Sequence, residues 1–422
     1  MTEAALALLP PRRRARWRRA GPDLVREYCI IPDRFYGDRP KYHKYCALPN
    51  GRLVPHALTN EALDDFPSFT RAAPDYEQNL YVARYYLGKV TALLKRGNDA
   101  EAARFAGTLA HHLQDSVWPC HAIHNSLLPV LLPFPRGKYW HLHRALDDIQ
   151  GLRPGDLMSV RPVLLGETVR EAAYNLVNAT FNAVRASLGL VVPMVQAIYR
   201  GHPGRKDRLL RQAAREGARL TASAWHTAFS LAAGRFARNE RALLKVVHLG
   251  DIPPFNRFTL LGDTGEPLDL MSHDPYMFEP LADHTLRVGS SHSAPMVTAP
   301  LSLRVRRNGR IAVQTFPRGF GAAGTSRITF RVDGAIHRTF RATFGCHPAL
   351  SQSDGKVVFK VLVGPTAETL RAAFESVPMV RGGEAQTVDL KLGRQTRYLR
   401  LATEGKLTDG VQIVWADPVL VH

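Results

Sequence analysis

Cysteine is scarce in this chain of 422 residues: there are 4, and no two form a Cys-x-x-Cys pair. Cys29, Cys46, Cys120 and Cys346 give no disulfide framework, so a stapled scaffold is excluded and the fold must rest on buried apolar cores. A bridge between Cys29 and Cys46 is conceivable, and Cys120 reads as a small buried residue. The sequence reading finds no run of the length of a membrane-spanning helix. Nor does it find a secretory signal, because the start is apolar first (AALALLPP) and basic second (RRRARWRR), the reverse of the usual order. Acidic residues are short: 37 Asp and Glu against 56 Lys and Arg leave a formal charge of +19 and a pI near 10.1. That excess attracts phosphate-rich polymers and anionic surfaces without naming one. Much of it lies in PPRRRARWRR and in Gly201 to Arg219, where Leu and Ala recur at helical spacing and the bland reading is a solvated helix face.

What is present is a change of character along the chain. From Glu61 to about Asn239, apolar residues repeat at helical spacing, with breaks at Gly97-Asn98 and Gly201 to Gly204. After residue 250 that periodicity stops. Short alternating runs follow, among them LSLRVRR, SRITFRVD, TFRATFG, KVVFKVLVG, YLRLATE and VQIVWADPVLV, separated by Gly and Pro. Such runs predict an antiparallel β-sandwich. The expected fold class is thus an all-α helical bundle followed by an antiparallel β-sandwich. The expected division is a basic segment over 1–20, a helical domain over 21–245, a linker over 246–285 and a sandwich over 286–422.

Two segments of the helical half carry chemistry. In HHLQDSVWPCH, His111 and Asp115 are four residues apart. In HLHRALDD, His143 and Asp147 are spaced the same way. On a helix that spacing puts both side chains on one face, where they can grip one ion. His121 follows the first pair, just beyond a Pro119 that is expected to end the helix. The bland alternative is a set of partly buried polar residues that cap and cross-link helices.

The string from Ala83 to Ala122, ARYYLGKVTALLKRGNDAEAARFAGTLAHHLQDSVWPCHA, resembles the core of the zinc-dependent phospholipase C and single-strand nuclease superfamily. The match is an amphipathic helix, a Gly-Asn-Asp break, and a second helix running into His-x3-Asp-x3-Pro-x-His-Ala. The resemblance implies an all-α bundle holding two or three zinc ions and hydrolysing phosphodiester bonds through a metal-activated hydroxide. It implies that His111 and Asp115 bind one zinc and that Asp115 reaches toward a neighbouring one, while His121, His143 and Asp147 form a second site. YHKYCALPNGRLVPH resembles the family's loop that supplies a further ligand, His43. An upstream Asp completes the set, either Asp33 or Asp23, ten and twenty residues before His43; Asp33 is preferred, and with Asp115 is expected to be catalytic. Read locally, Asp23 also suits a helix N-terminus and Asp33 a turn after Pro32. The sequence departs from the family at its start: no His precedes His43, and Trp17 lacks the expected neighbouring His, so the third zinc site does not transfer. Relatives are commonly exported, which conflicts with the missing signal and leaves localisation open.

The second half resembles the NPCBM family of carbohydrate-binding modules, of galactose-binding-like jelly-roll type, through GFGAAGTSRITFRV, FRATFGCHPAL, GKVVFKVLVG and VWADPVLV between Arg304 and Val421. This implies a glycan partner. Ala323 stands where the family usually has a polar group. Two function classes follow: a zinc-dependent hydrolase of phospholipid or single-stranded nucleic acid with an appended glycan-binding module, or a non-catalytic glycan- or surface-binding protein that keeps the metal site for structure. An open coordination position separates the first from the second.

Overall fold

The computed structural model describes residues 1–20, 22–35, 37–51, 72–122, 146, 152–252, 285–288, 297–323, 326–348, 355–405 and 412–422. These form two units, one helical and ending at Leu244, the other built of strands from Lys245 onward.

The helical unit begins with α1 (Thr2–Leu8) and α2 (Pro11–Ala20). The arginine-rich start is therefore ordered structure, because Trp17 is fully buried on α2. Its ring meets Trp225 at 6.2 Å and Phe229 at 4.9 Å, both edge-on. Short helices α3 (Ile31–Phe35) and α4 (Arg39–Cys46) lead to α5 (Ala72–Lys95). The Gly97-Asn98 break then works as the sequence suggests: Gly97 takes φ +71°, and the Asn98 side chain accepts from the Glu101 amide to cap α6 (Asp99–Ser116). Pro119 differs from expectation. It opens a short helix, α7 (Pro119–Ala122), at the first-turn position where its missing N–H costs nothing. The unit closes with α8 (Val169–Tyr199), α9 (Pro203–Ala233) and α10 (Arg238–Leu244).

Helix α6 is central to the packing. Trp225 of α9 donates to the Ala106 carbonyl at 3.1 Å. Gln114, buried, donates to Thr221 of α9 and accepts from Thr2 of α1. These bonds fix α1 and α9 on α6 without leaving the amide unpaired. Helix α8 corrects one expectation, since it is long and apolar enough to cross a membrane by length and composition, with a mean hydropathy of 1.4 over its best window. Several of its apolar side chains, including Val191, Met194 and Val195, are packed into a core with Leu210, Ala213 and Ala214 of α9.

One close approach matters for the site. Gly107 sits on α6 directly against the 3-10 turn Tyr28–Ile30, and a Cβ there would fall 2.5–2.7 Å from Tyr28 backbone and Cβ atoms. Only glycine permits this contact, which explains a glycine inside an otherwise good helix.

In the second unit, two antiparallel sheets face one another. One runs β1 (Val246–His248), β13 (Gln412–Val421), β8 (Thr339–Cys346) and β11 (Gln386–Lys391), with β6 (Gly319–Ala323) also paired to β13. The other runs β10 (Arg371–Glu375), β9 (Val358–Gly364), β12 (Tyr398–Glu404) and β7 (Ser326–Arg331). Hairpins β2 (Thr285–Val288) with β3 (Val297–Pro300), and β4 (Ser302–Arg307) with β5 (Arg310–Thr315), complete the described strands. Inward residues of both sheets interlock: Phe344 of β8, Phe359 of β9 and Trp415 of β13 have ring centroids 4.9–5.3 Å apart. This is the core of a sandwich. Val246–His248 lies in the stretch expected to be a linker, yet it is paired to β13, as is GFGAA on the same strand.

Two measurements check these packing arguments. Gly107→Ala is expected to lower unfolding free energy by about 1–3 kcal/mol, the usual cost of forcing atoms into a packed contact, whereas Gly204→Ala, with open space around it, should be nearly neutral. In the sandwich, burial pushes the His337 pKa down to about 3, with the nearby His422 adding to the effect. The unfolded chain takes up that proton near pH 6.5. Stability from a neutral His337 is therefore complete above pH 6.5 and is lost as pH falls toward 3, at up to about 1.4 kcal/mol per pH unit. Denaturant titrations of His337→Gln should show a flatter slope in that window than the parent; an unchanged slope would place the titrating group elsewhere.

Candidate metal centre

Helix α6 presents His111 and Asp115 one turn apart, and each meets a ligand-type residue from another element. His111 Nε2 lies 3.5 Å from Asp33 Oδ1 of α3. Asp115 Oδ1 lies 3.1 Å from His121 Nε2 of α7. The expected partners of α6 thus arrive from both sides, one through the 3-10 turn before α3 and one through the helix that Pro119 opens. His111 and His121 are largely covered, with 13% and 15% of their side chains exposed, while the Asp33 side chain is 66% exposed.

The hydrogen bonds of His111 fix its chemistry. Its Nδ1 lies 2.9 Å from the Cys29 carbonyl oxygen. A carbonyl only accepts, so Nδ1 carries a hydrogen, and the neutral ring presents a bare lone pair at Nε2. That lone pair points at a carboxylate oxygen. A lone pair and a carboxylate oxygen 3.5 Å apart repel each other, and a cation between them, either a second ring proton or a metal ion, would turn that repulsion into attraction. A His whose outer nitrogen is tied to a backbone carbonyl and whose inner nitrogen meets a carboxylate has the donor arrangement of a metal ligand. The two His–Asp pairs present offer nitrogen and oxygen donors of the kind zinc takes.

The other members of the expected set are less convergent. Asp23 lies in the 3-10 turn Pro22–Leu24, half-buried, where its carbonyl accepts from the Arg26 and Glu27 amides. His43 is exposed on α4. That helix is fixed to α6 by Glu101, which accepts from the Tyr45 hydroxyl at 3.0 Å and pairs with Lys44 at 2.8 Å and Arg104 at 3.1 Å. Burial alone would raise the Glu101 pKa, but these three donors outweigh it and lower it. His143 and Asp147 lie outside the described residues, as does the apolar stretch from Leu127 to Trp140. Among the described residues, no three His, Cys, Asp or Glu side chains come together closely enough to hold a metal ion. All four cysteines are free, so the conceivable Cys29–Cys46 bridge is not formed.

Sequence reasoning named the ligand-type residues and passed over the parts that aim them. The Cys29 carbonyl is a backbone atom and leaves no side-chain signature. Gly107, which lets the turn bearing Cys29 approach α6, did leave one, as a glycine in the middle of FAGTLAHHL.

Comparison with known proteins adds the following. No curated protein matches the chain. A solved structure of CBM51 from Clostridium perfringens GH95, in complex with methyl-galactose, is 16% identical, with 29% of this chain and 80% of that one covered and a TM-score of 0.25. The tandem CBM51 modules of a family 98 glycoside hydrolase from Streptococcus pneumoniae are 15% identical, over 42% of this chain and 47% of theirs, at a TM-score of 0.30. The alpha toxin from Clostridium absonum is 9% identical, over 99% of this chain and 91% of that one, at a TM-score of 0.32. With TM-scores below 0.5, these likenesses assign no fold or role to the chain. The family model described as NPCBM/NEW2 domain matches residues 289–421, which include every strand from β3 to β13 in full.

Proposed function

We propose that the helical unit is a zinc-dependent phosphodiester hydrolase, of phospholipase C or nuclease type, and that the NPCBM-matched unit binds glycan. The observation that supports the first half is the opposition of His111 Nε2 and Asp33 Oδ1 at 3.5 Å with the other His111 nitrogen already committed to Cys29. Zinc, when bound, polarises a phosphoryl oxygen and brings the pKa of its water toward neutrality. The chain's own groups do the rest. Asp33 and His111 hold one side of the centre, and Asp115 and His121 hold the other. His143 and Asp147 are the remaining candidates for that second side. Asp33 is the most open carboxylate of the set and is placed to accept the proton of an incoming water at its carboxylate oxygens. Asp115, 3.1 Å from His121 Nε2, supplies carboxylate oxygens between the two sides. The excess of basic residues draws phosphate-bearing substrates, lipid head groups or single strands, toward the unit. The support for a glycan partner is the family match over residues 289–421.

Elemental mass spectrometry of the full chain tests the metal first. About two or three zinc ions per chain are expected, falling in His111→Ala and in Asp115→Ala. Metal-free parent protein would overturn the reading. With metal established, hydrolysis of phosphatidylcholine and of single-stranded DNA is compared in the parent and Asp33→Asn. A drop of about 10²-fold or more in kcat is expected for the variant, in the range typical of proton-transfer groups. Stoichiometric zinc with neither activity would favour the alternative of a binding protein with a structural metal.

The glycan half is tested separately on an immobilised glycan array with the full chain and with Asp33→Asn. Retention of both on the same glycans is expected. Failure of the parent chain to bind any glycan would remove the sugar-binding assignment and leave the hydrolase reading untouched, and loss in Asp33→Asn alone would move the binding site out of residues 289–421.

A further inference from the structure

A second cluster of charged groups lies in the helical unit and shares no residue with the candidate metal centre. The start of α2, the end of α9 and the start of α10 border an open concavity of about 780 Å³ lined by Arg12, Arg13, His226, Arg235, Phe236 and Glu240, among others. At its inner wall Arg13 Nη1 is 2.7 Å from His226 Nδ1 and 2.8 Å from the His226 carbonyl oxygen. On the other side of the ring, His226 Nε2 is 2.7 Å from Glu240 Oε1.

The proton positions follow from donor chemistry. A guanidinium can only donate, so His226 Nδ1 accepts, and the ring hydrogen sits on Nε2 and is donated to Glu240. His226 is therefore neutral in this arrangement. Its burial, together with the neighbouring Arg13 charge, lowers its pKa, which agrees. Each of the two Nη1 hydrogens of Arg13 is spent on His226. The Nε and Nη2 hydrogens have no acceptor among the described residues, and Arg13 makes no ion pair there. Those two groups form the fork that guanidinium uses for oxyanions.

Charge counting points the same way. Three guanidinium groups line the cavity against one carboxylate, and one oxygen of that carboxylate is occupied by His226. Neither Arg12 nor Arg235 is ion-paired among the described residues. Two positive charges are left without counterions around a concave site, half-covered at Arg13 and open at Arg12 and Arg235. A second basic cavity among the described residues, lined by Lys44, Lys89, Arg104 and Glu101, has the same charge count but a different arrangement, because there the carboxylate pairs directly with two of the three cations, Lys44 and Arg104. Phe236, Pro10 and Pro11 add an apolar wall to the first cavity.

We infer that this cavity binds the dianionic phosphate of a phosphate monoester, gripped by the free fork of Arg13 and by Arg12 and Arg235, with the ester's apolar or ring-shaped remainder against Phe236 and the two prolines. The net double charge selects a dianion over a carboxylate. The neutral His226 acts as a positioning residue, holding one nitrogen of Arg13 so that the opposite edge of the guanidinium faces the cavity.

Isothermal titration of the full chain, stripped of metal with a chelator so that the zinc candidates cannot hold phosphate, tests the inference with inorganic phosphate and with phenyl phosphate. The expected result is saturable binding of both at millimolar or lower Kd, with phenyl phosphate tighter. Arg12→Gln and Arg235→Gln change exposed side chains, so their fold is expected to be kept. Each should weaken binding about tenfold. Arg13→Lys keeps the charge but removes the fork and should weaken it by a similar factor, while Asp33→Asn should leave it unchanged. No binding by the parent up to about 10 mM of either probe overturns the inference. So does binding that the three arginine substitutions leave intact, or binding lost in Asp33→Asn. None of these results depends on hydrolytic activity, so the hydrolase reading and this one fail separately.

Discussion

The contact between the Tyr28–Ile30 turn and α6 is the constraint from which the candidate centre follows. Gly107 has no Cβ, so the turn can lie directly on the helix. One helical turn later, the Cys29 carbonyl meets His111 Nδ1. That bond sets the tautomer of the ring, and the tautomer sets which nitrogen can bind a cation. The turn leads into α3, whose first turn carries Asp33 to the free nitrogen. A steric fact about one residue without a side chain is thus linked, through a single backbone oxygen, to the chemistry of two side chains.

The same logic operates at the other end of α6. The helix stops at Ser116, and the chain turns through Val117 and Trp118, both buried, before Pro119 starts α7. The Asp115 carbonyl accepts from the Trp118 amide, and the Trp118 carbonyl accepts from the His121 amide. These bonds fold the chain back so that His121 reaches the Asp115 carboxylate. Buried Gln114, tied to Thr2 and Thr221, keeps this end of α6 in register with its neighbours. An apolar residue at position 114 would leave two hydroxyls to find other partners, at a cost typical of lost buried hydrogen bonds, about 1 kcal/mol each.

Much of the architecture was legible because it is written in periodicity. Helical spacing marked α5, α6, α8 and α9. Alternation marked β4, β5, β7, β8, β9, β11, β12 and β13. The strands that escaped have a physical reason for doing so. GFGAA has small residues and two glycines, so it shows no alternation, yet it pairs with β13 from Gly319 to Ala323. Gly319, at φ +151°, is pressed against the Trp415 carbonyl and needs to be glycine for that approach. Val246–His248 is three residues long, too short for a pattern, and is held by register with Val419–Val421. The ligand-type side chains of α6 were visible for a similar reason, since i and i+4 spacing is a local property. Their partners were partly visible. Spacing does not separate Asp33 from Asp23, whereas in three dimensions it is Asp33 that is seen to lie beside His111.

The arginine-rich N-terminal segment shows why composition alone reads charge poorly. PPRRRARWRR reads in sequence simply as a basic segment, yet its residues divide by face on α2. Trp17 is buried against Trp225 and Phe229. Arg16 is spent on Asp99 at the start of α6, which raises its pKa through that hydrogen bond and uses one charge for packing. Arg13 is turned toward His226 and makes no hydrogen bond or close ion pair with a carboxylate among the described residues, Glu240 acting on it only at longer range. Three residues apart on one helix, two arginines of the same run thus have opposite electrostatic fates. What distinguishes them is the identity of the acceptor: an Asp at the α6 N-terminus neutralises one, while a neutral imidazole and a carbonyl orient the other without neutralising it. A charge that is oriented but not neutralised is what a binding site for an anion requires. Its presence inside a segment of otherwise ordinary basic composition could be recognised only once the donor and acceptor atoms were placed.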